Sequence, residues 1–216
     1  MKSFLIKKIG FMKTCITLIV LLLTLNTTAQ NIVLPQAQKT GGLPLMETLN
    51  KRNTVRSFQT KELTRQQLSN LLWAAWGINR ESGKRTAPSA RNFQETDVYV
   101  LLKSGVYIYN AQKNELTFVS DNDEREYAGT QDFIKDAPVQ LVLVSNLDRI
   151  SGGSSGKLNT AYIDAGYISQ NIYLWCASEG LGTGARAMID HEVLAPRLKL
   201  NSTQKIIIAH SVGYIK

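Results

Sequence analysis

At 216 residues, 44% hydrophobic and 19% charged, the chain is long enough for one well-buried domain, short for two, and free of a disorder signature. Its formal net charge of +8 would suggest a polyanionic partner, but four of the cations, Lys2, Lys7, Lys8 and Lys13, precede an apolar run from Cys15 to Leu25 that closes on Asn26-Thr27-Thr28-Ala29. A basic start, a short apolar stretch and small residues describe a secretory leader, residues 1–29, cut after Ala29 and implying export, to the periplasm in a Gram-negative cell.

The apolar run is too short to span a bilayer comfortably; an uncleaved N-terminal anchor is the alternative. Without the leader the net charge falls from +8 to +4 and a nucleic-acid reading loses its basis. Cys176 is then the only cysteine, so no internal disulfide can form, and its place in an apolar helical stretch makes it a small buried hydrophobe.

Residues 30–44, with Pro35, Gly41, Gly42 and Pro44, read as an extended lead-in to a domain over 45–216. Leu45–Arg52 is a short helical stretch. Leu68, Leu71, Leu72, Ala75 and Trp76 recur at helical spacing, with Thr64 as N-cap, Gln67 at the capping-box position and Gly77 at the end. The polar, cation-rich run 79–95 is a loop that packing does not explain. Asp97–Lys103 alternates into a strand, and Val106–Tyr109 with Leu116–Val119 forms a hairpin around Ala111–Asn114.

Glu124–Lys135 reads as a short helix, and Val139–Ser145 as a strand buried on both faces. Ile150–Gly156 is a Ser/Gly loop. Ala161–Ser178 is a long helix apolar around most of its circumference, hence one for the core or a subunit interface. Gly180, Gly182 and Gly184 break it. A helix over Glu192–Leu200, bent at Pro196, and a strand over Lys205–Tyr214 close the chain. The order implies an α+β domain with a mostly antiparallel central sheet flanked by helices.

Three segments carry candidate chemistry. Arg52, Thr54 and Arg56 alternate along extended chain, so two guanidiniums and a hydroxyl project to one side, a receptor for phosphate or another planar anion. Taken alone, a solvated strand edge with spaced cations would look the same. Arg85-Thr86-Ala87-Pro88-Ser89-Ala90-Arg91-Asn92-Phe93-Gln94 would by itself be only a turn. Glu179-Gly180-Leu181-Gly182-Thr183-Gly184-Ala185-Arg186-Ala187 would be a helix end and loop, which leaves Arg186 unexplained; because the glycines follow a helix, they are no dinucleotide fingerprint. His191 and His210 lack partners at metal-ligand spacing, so no metal site is expected, and neither a G-x-S-x-G elbow nor a Walker motif occurs.

Together and in this order, with Phe58 completing R-x-T-x-R-x-F and the chain ending Gly213-Tyr214-Ile215-Lys216, these segments resemble the nitroreductase-like FMN flavoprotein superfamily. The RTAPSA and GLG segments look most like its SagB-type dehydrogenase branch. The resemblance implies an FMN-dependent homodimer with residues of both subunits at each flavin. It places Arg52 and Thr54 on the flavin phosphate and ribityl chain, and Arg56 at the N1/O2 edge, where a cation raises the potential. Ser89 and Asn92, with Arg85 and Arg91 as further candidates, approach from the partner subunit. The backbone N–H of Ala187 faces flavin N5 with Arg186 beside it, and Lys216 is the local candidate for the phosphate at the chain's end. Arg91-Asn92-Phe93-Gln94 after RTAPSA departs from the SagB-type branch, so that branch's substrate preference does not transfer; Ala187 stands for the usual Gly and Ile215 for the usual Pro.

The implied activity is that of an exported FMN oxidoreductase passing hydride or electrons between flavin N5 and a small-molecule or peptide substrate. A catalytically inert flavin-binding protein on the same fold and an NAD(P)H-dependent nitro or quinone reductase are the alternatives.

Overall fold

The computed structural model describes residues 30–216; the leader read over residues 1–29 lies outside them. Seven strands form one antiparallel sheet: β1 (Ile32–Val33), β2 (Thr96–Leu102), β3 (Gly105–Asn110), β4 (Glu115–Ser120), β5 (Val139–Asn146), β6 (Leu181–Arg186) and β7 (Gln204–Tyr214). Their spatial order is β1-β4-β3-β2-β5-β7-β6. Four α-helices accompany them: α1 (Leu45–Lys51), α2 (Arg65–Trp76), α3 (Ser154–Ser178) and α4 (His191–Arg197).

Both faces of the sheet are covered, which is why β5 reads as an unbroken apolar run where a half-exposed strand would alternate. Val98, Val100, Leu141 and Leu143 point to one face, where Leu68, Leu71 and Leu72 of α2 and Ala165, Ile168 and Ile172 of α3 meet them. Tyr99, Leu101, Val142 and Val144 point to the other, under Leu194 of α4 and Leu198. The register, Val142 opposite both Tyr99 and Ala209, keeps the two sets apart.

The capping box of α2 forms as its residues dictate: the Gln67 N–H donates to Thr64 Oγ1 at 3.1 Å, and the Thr64 N–H donates to Gln67 Oε1 at 3.0 Å. Gly77 ends the helix for a reason other than positive φ, since a Cβ there would lie 2.4 Å from the Trp73 ring. The lead-in is strapped across both long helices, its Gln38 N–H donating to Asn70 Oδ1 and its Leu43 N–H to Ser178 Oγ.

Four expectations need correction. Glu124–Lys135 is two separate 3-10 turns, Arg125–Tyr127 and Asp132–Lys135, and no continuous helix. Helix α3 begins at Ser154, so the Ser/Gly loop is shorter than read; the first helical bond, Lys157 N–H to Gly153 O at 3.0 Å, is made by backbone alone and needs no apolar periodicity. Only Gly180, with φ of 68°, ends that helix. Gly182 and Gly184 lie inside β6, an edge strand onto which Val55 presses closely enough that a Cβ at Gly184 would sit 2.6 Å from the Val55 carbonyl oxygen. Pro196 falls in the last turn of α4, which stops at Arg197 instead of running to Leu200.

Candidate functional site

The segment after α1 runs along the sheet's edge. Arg52 caps α1, its N–H donating to Thr48 O. The Val55 N–H then donates to Thr183 O and the Gln59 N–H to Tyr214 O, each at 2.9 Å. Phe58, buried to 1%, pairs with Ile215 across an isolated bridge and anchors the segment in the core. Because side chains alternate along extended chain, Val55 turns onto the strand while Thr54 and Arg56 stay exposed.

Tyr173 of α3 organises this end. Its hydroxyl accepts the Ala185 N–H at 2.9 Å and shares a hydrogen bond with Thr54 Oγ1 at 3.2 Å; the Arg52 guanidinium lies over its ring, 5.4 Å from the centroid. Neither Arg52 nor Arg56 makes an ion pair among the described residues. Lys216 donates its backbone N–H to Ser57 O, and its ammonium stands 3.7 Å from Asp136, a loose and exposed contact. Two cations and a hydroxyl, spaced along one exposed edge and free of acidic partners, suit a phosphate. This donor set fits the phosphate end of FMN.

Ser89 and Asn92 belong to a second cluster. Their loop holds Arg91, Asn92 and Gln94 at φ of 50°, 59° and 47°, conformations that cost non-glycine residues about 1–3 kcal/mol each when imposed. Internal bonds impose them. The Gln94 N–H donates to Ser89 Oγ, Gln94 Nε2 donates to Asn92 Oδ1 and Gly83 O, and Arg85 reaches Gln94 Oε1 and Trp76 O, both at 2.7 Å. The Ala90 N–H donates to Asp164 Oδ2 of α3. Asp164 and its neighbour Glu95 are both buried, and burial pushes both carboxyls above their usual range.

Asp164 and Tyr173, nine residues apart on α3, anchor the two clusters, so within one chain the clusters stand about 13 Å apart along the helix at a rise of about 1.5 Å per residue. Arg186 joins neither. Its side chain is buried and donates to Ala128 O, Ser211 Oγ and Gln140 Oε1, so it braces the interior between β5, β6 and β7 and offers its guanidinium to no ligand on the surface. Burial pushes its pKa down to about 10, which leaves it charged at neutral pH. Ala187 follows as an exposed residue past the end of β6 and has no positive φ, so alanine is tolerated there without strain.

Next to Arg186, His210 is fully buried between Ser169 Oγ at 2.8 Å and Thr183 Oγ1 at 3.1 Å; burial and the guanidinium push its pKa down to about 3. Sequence reasoning missed Tyr173 and Asp164. A lone carboxylate on the apolar stretch of α3 was the available signal for Asp164; nothing in the sequence marks Tyr173 off from Tyr162 or Tyr167.

Comparison with known proteins follows the same lines. The family model described as the nitroreductase family matches residues 49–214. A candidate nitroreductase of Methanocaldococcus jannaschii is 32% identical over 164 residues, 70% of this chain and 82% of that protein. The crystal structure of a candidate nitroreductase from Ralstonia eutropha superposes with a TM-score of 0.84 at 37% identity, covering 89% of this chain and 92% of that one. A Staphylococcus epidermidis structure described as a candidate NAD(P)H:FMN oxidoreductase shares the fold at 15% identity, with a TM-score of 0.62 over 83% of this chain and 91% of that one.

Proposed function

The chain belongs to the nitroreductase family of oxidoreductases, and on that premise we propose that it is an FMN-dependent oxidoreductase whose flavin phosphate lies on Arg52 and Thr54. The observation that carries this reading is their convergence, with Tyr173 and the β6 edge, into an unneutralised anion receptor. The flavin, when bound, supplies the hydride chemistry. The chain's own residues hold and tune it: Arg52 and Thr54 at the phosphate, Arg56 as a cation beside them, Ala187 by its exposed backbone. The RTAPSA and GLG segments favour the SagB-type dehydrogenase branch, and the leader favours an exported protein, for which a nicotinamide donor is scarce.

A second copy of the chain completes the site in this reading. Ser89 and Asn92 stand a helix segment away from Arg52 and Thr54 of their own chain, and α1 and α3 carry an uncovered apolar face. Tyr162, Ile163 and Tyr167 of α3 and Leu45, Met46 and Leu49 of α1 are all exposed, Met46 to 75%. Apolar side chains at this density on two adjacent helices support an interface over a solvated surface. Antiparallel packing of α3 on its copy about a two-fold axis would bring each chain's first cluster toward the other's second.

The test is a visible spectrum of the purified chain after dialysis with FMN and gel filtration, followed by separate additions of dithionite and NADPH. Retained flavin bands that NADPH bleaches make it a reductase. Bands bleached by dithionite alone leave the dehydrogenase or an inert flavin binder, which substrate-dependent bleaching separates. Loss of all flavin on the column refutes the reading.

A further inference from the structure

The cation-rich loop between α2 and β2 carries two cations that the flavin reading does not use, Arg80 and Lys84, beside Arg85 and Arg91, which the resemblance names as further flavin candidates. Arg80, Lys84, Arg85 and Arg91 line an open cleft of about 530 Å³ together with Ser89 and Asn92, and no carboxylate is among its lining residues. None of the four cations makes an ion pair among the described residues. Asp97, the acid that acts on Arg85, is already bound by both terminal nitrogens of Arg149, at 2.9 and 3.2 Å. Four like charges lining one cleft repel one another, and none of them is paired with an acid among the described residues.

Arg85 is also held rigid. Its Nε and one terminal nitrogen are bonded to Gln94 and Trp76 O, and its guanidinium lies 4.7 Å from the Trp76 ring centroid. The rest of its five N–H donors have no partner among the described residues, on a fork already fixed in place, so a ligand that uses them loses little further side-chain entropy. The left-handed residues 91, 92 and 94 keep the loop that carries Arg91 and Asn92 in a conformation that the chain would not adopt unaided. A rigid, unneutralised guanidinium wall on a braced, strained loop is built for an oxyanion.

We propose that this cleft binds the anionic end, carboxylate or phosphate, of the small molecule on which the flavin site acts, so that the substrate is acidic. Identifying the occupant as the redox substrate rests on the flavin reading; the oxyanion site itself rests only on the cleft. Because Ser89 and Asn92 form part of its lining, an anion held there leaves the remainder of its molecule beside the residues assigned to the flavin from the partner subunit.

The experiment is calorimetric titration of the full chain with inorganic pyrophosphate and, separately, citrate, at constant ionic strength. It is run in an Arg52→Gln/Arg56→Gln background, which removes the other candidate anion receptor whether or not flavin is bound. Saturable binding is expected, weakened about tenfold or more by adding Arg80→Gln and Arg91→Gln, since each lost charge-assisted bond is worth about a factor of ten. Both side chains are exposed and brace nothing beyond Asn79, so the fold is preserved. Adding Lys103→Gln and Lys205→Gln instead, an equal loss of charge at exposed positions outside the cleft, should weaken binding less than twofold.

Tighter binding of pyrophosphate than citrate would assign a phosphate-bearing substrate, and the reverse order a carboxylate. Absence of saturable binding, or equal weakening by the two pairs of substitutions, overturns the proposal. Flavin retention by the wild-type chain is scored separately, so anion binding without flavin would sink the flavin reading while leaving the oxyanion site standing.

Discussion

The Ala90 amide donates to the Asp164 carboxylate across 2.8 Å, and this bond fastens the strained 89–94 loop to the middle of helix α3. The acceptor is a carboxylate that burial makes reluctant to ionise, next to Glu95, whose carboxyl burial also pushes up.

Removing the acceptor should free the loop. Asp164→Ala leaves the Ala90 amide without its bond, a cost of about 1–3 kcal/mol. Amide hydrogen exchange should then accelerate across 89–94 while the β5 amides stay protected. Uniform acceleration through β5 would show that Asp164 supports the whole fold.

Glu95 gives that region a pH dependence of known sign. Its folded pKa is raised, mainly by burial, so its contribution to stability is full below the unfolded value near 4.5 and is lost as pH rises through the folded pKa. Glu95→Gln should therefore melt higher than wild type at pH 8, with the gain shrinking toward pH 4. An equal gain at both pH values would mean that the carboxyl does not titrate in this window.

His210 acts on the acid side. Its folded pKa is depressed to about 3, so it contributes stability above the unfolded value near 6.5 that is lost progressively as pH falls toward 3. His210→Gln can still reach toward Ser169 and Thr183 but carries no titrating group. Its melting temperature should fall less than that of wild type between pH 7 and pH 4; parallel curves would exclude His210 as a source of acid lability.

Tyr173→Phe isolates the hydroxyl that joins Thr54 to the Ala185 amide. The amide loses its acceptor, and urea denaturation should report a loss of about 1–3 kcal/mol. FMN affinity should fall as well, read as weaker quenching of flavin fluorescence at a given protein concentration. Loss of stability with unchanged flavin affinity would confine Tyr173 to the scaffold.

Gly184→Ala tests the close approach of Val55. The added Cβ would meet the Val55 carbonyl at 2.6 Å, so the 52–56 segment must move or the strand must bend, at about 1–3 kcal/mol. Flavin retention should drop with it. The same substitution at Gly156, whose Cβ would meet nothing within 4 Å, should leave flavin retention unchanged.

Local signals were legible where the chain's own neighbours decide the outcome. Thr64 and Gln67 cap a helix within a single turn, and β5 is apolar because both its faces are covered. The glycines of 180–184 misled because the reason for two of them, Val55, arrives from a distant part of the chain; local pattern reads a glycine as a breaker. Arg186 misled in the opposite direction. An arginine among glycines looks like a ligand to something outside, and only the packing of β5 and β7 reveals Gln140 and Ser211 as its partners. Tyr173 was illegible because its role depends on which face of α3 meets Thr54.

The segment that carries Arg52 and Thr54 is tied by backbone to Thr183 and Tyr214, residues that come much later in the chain. During translation the helices and the β2–β5 hairpins can pair first, but the anion receptor has no edge to lie against until β6 and β7 have left the ribosome. A nascent chain therefore lacks that receptor while β6 and β7 are still unmade. Whatever anion the receptor holds, a chain that has not yet made or folded that edge has nowhere to hold it.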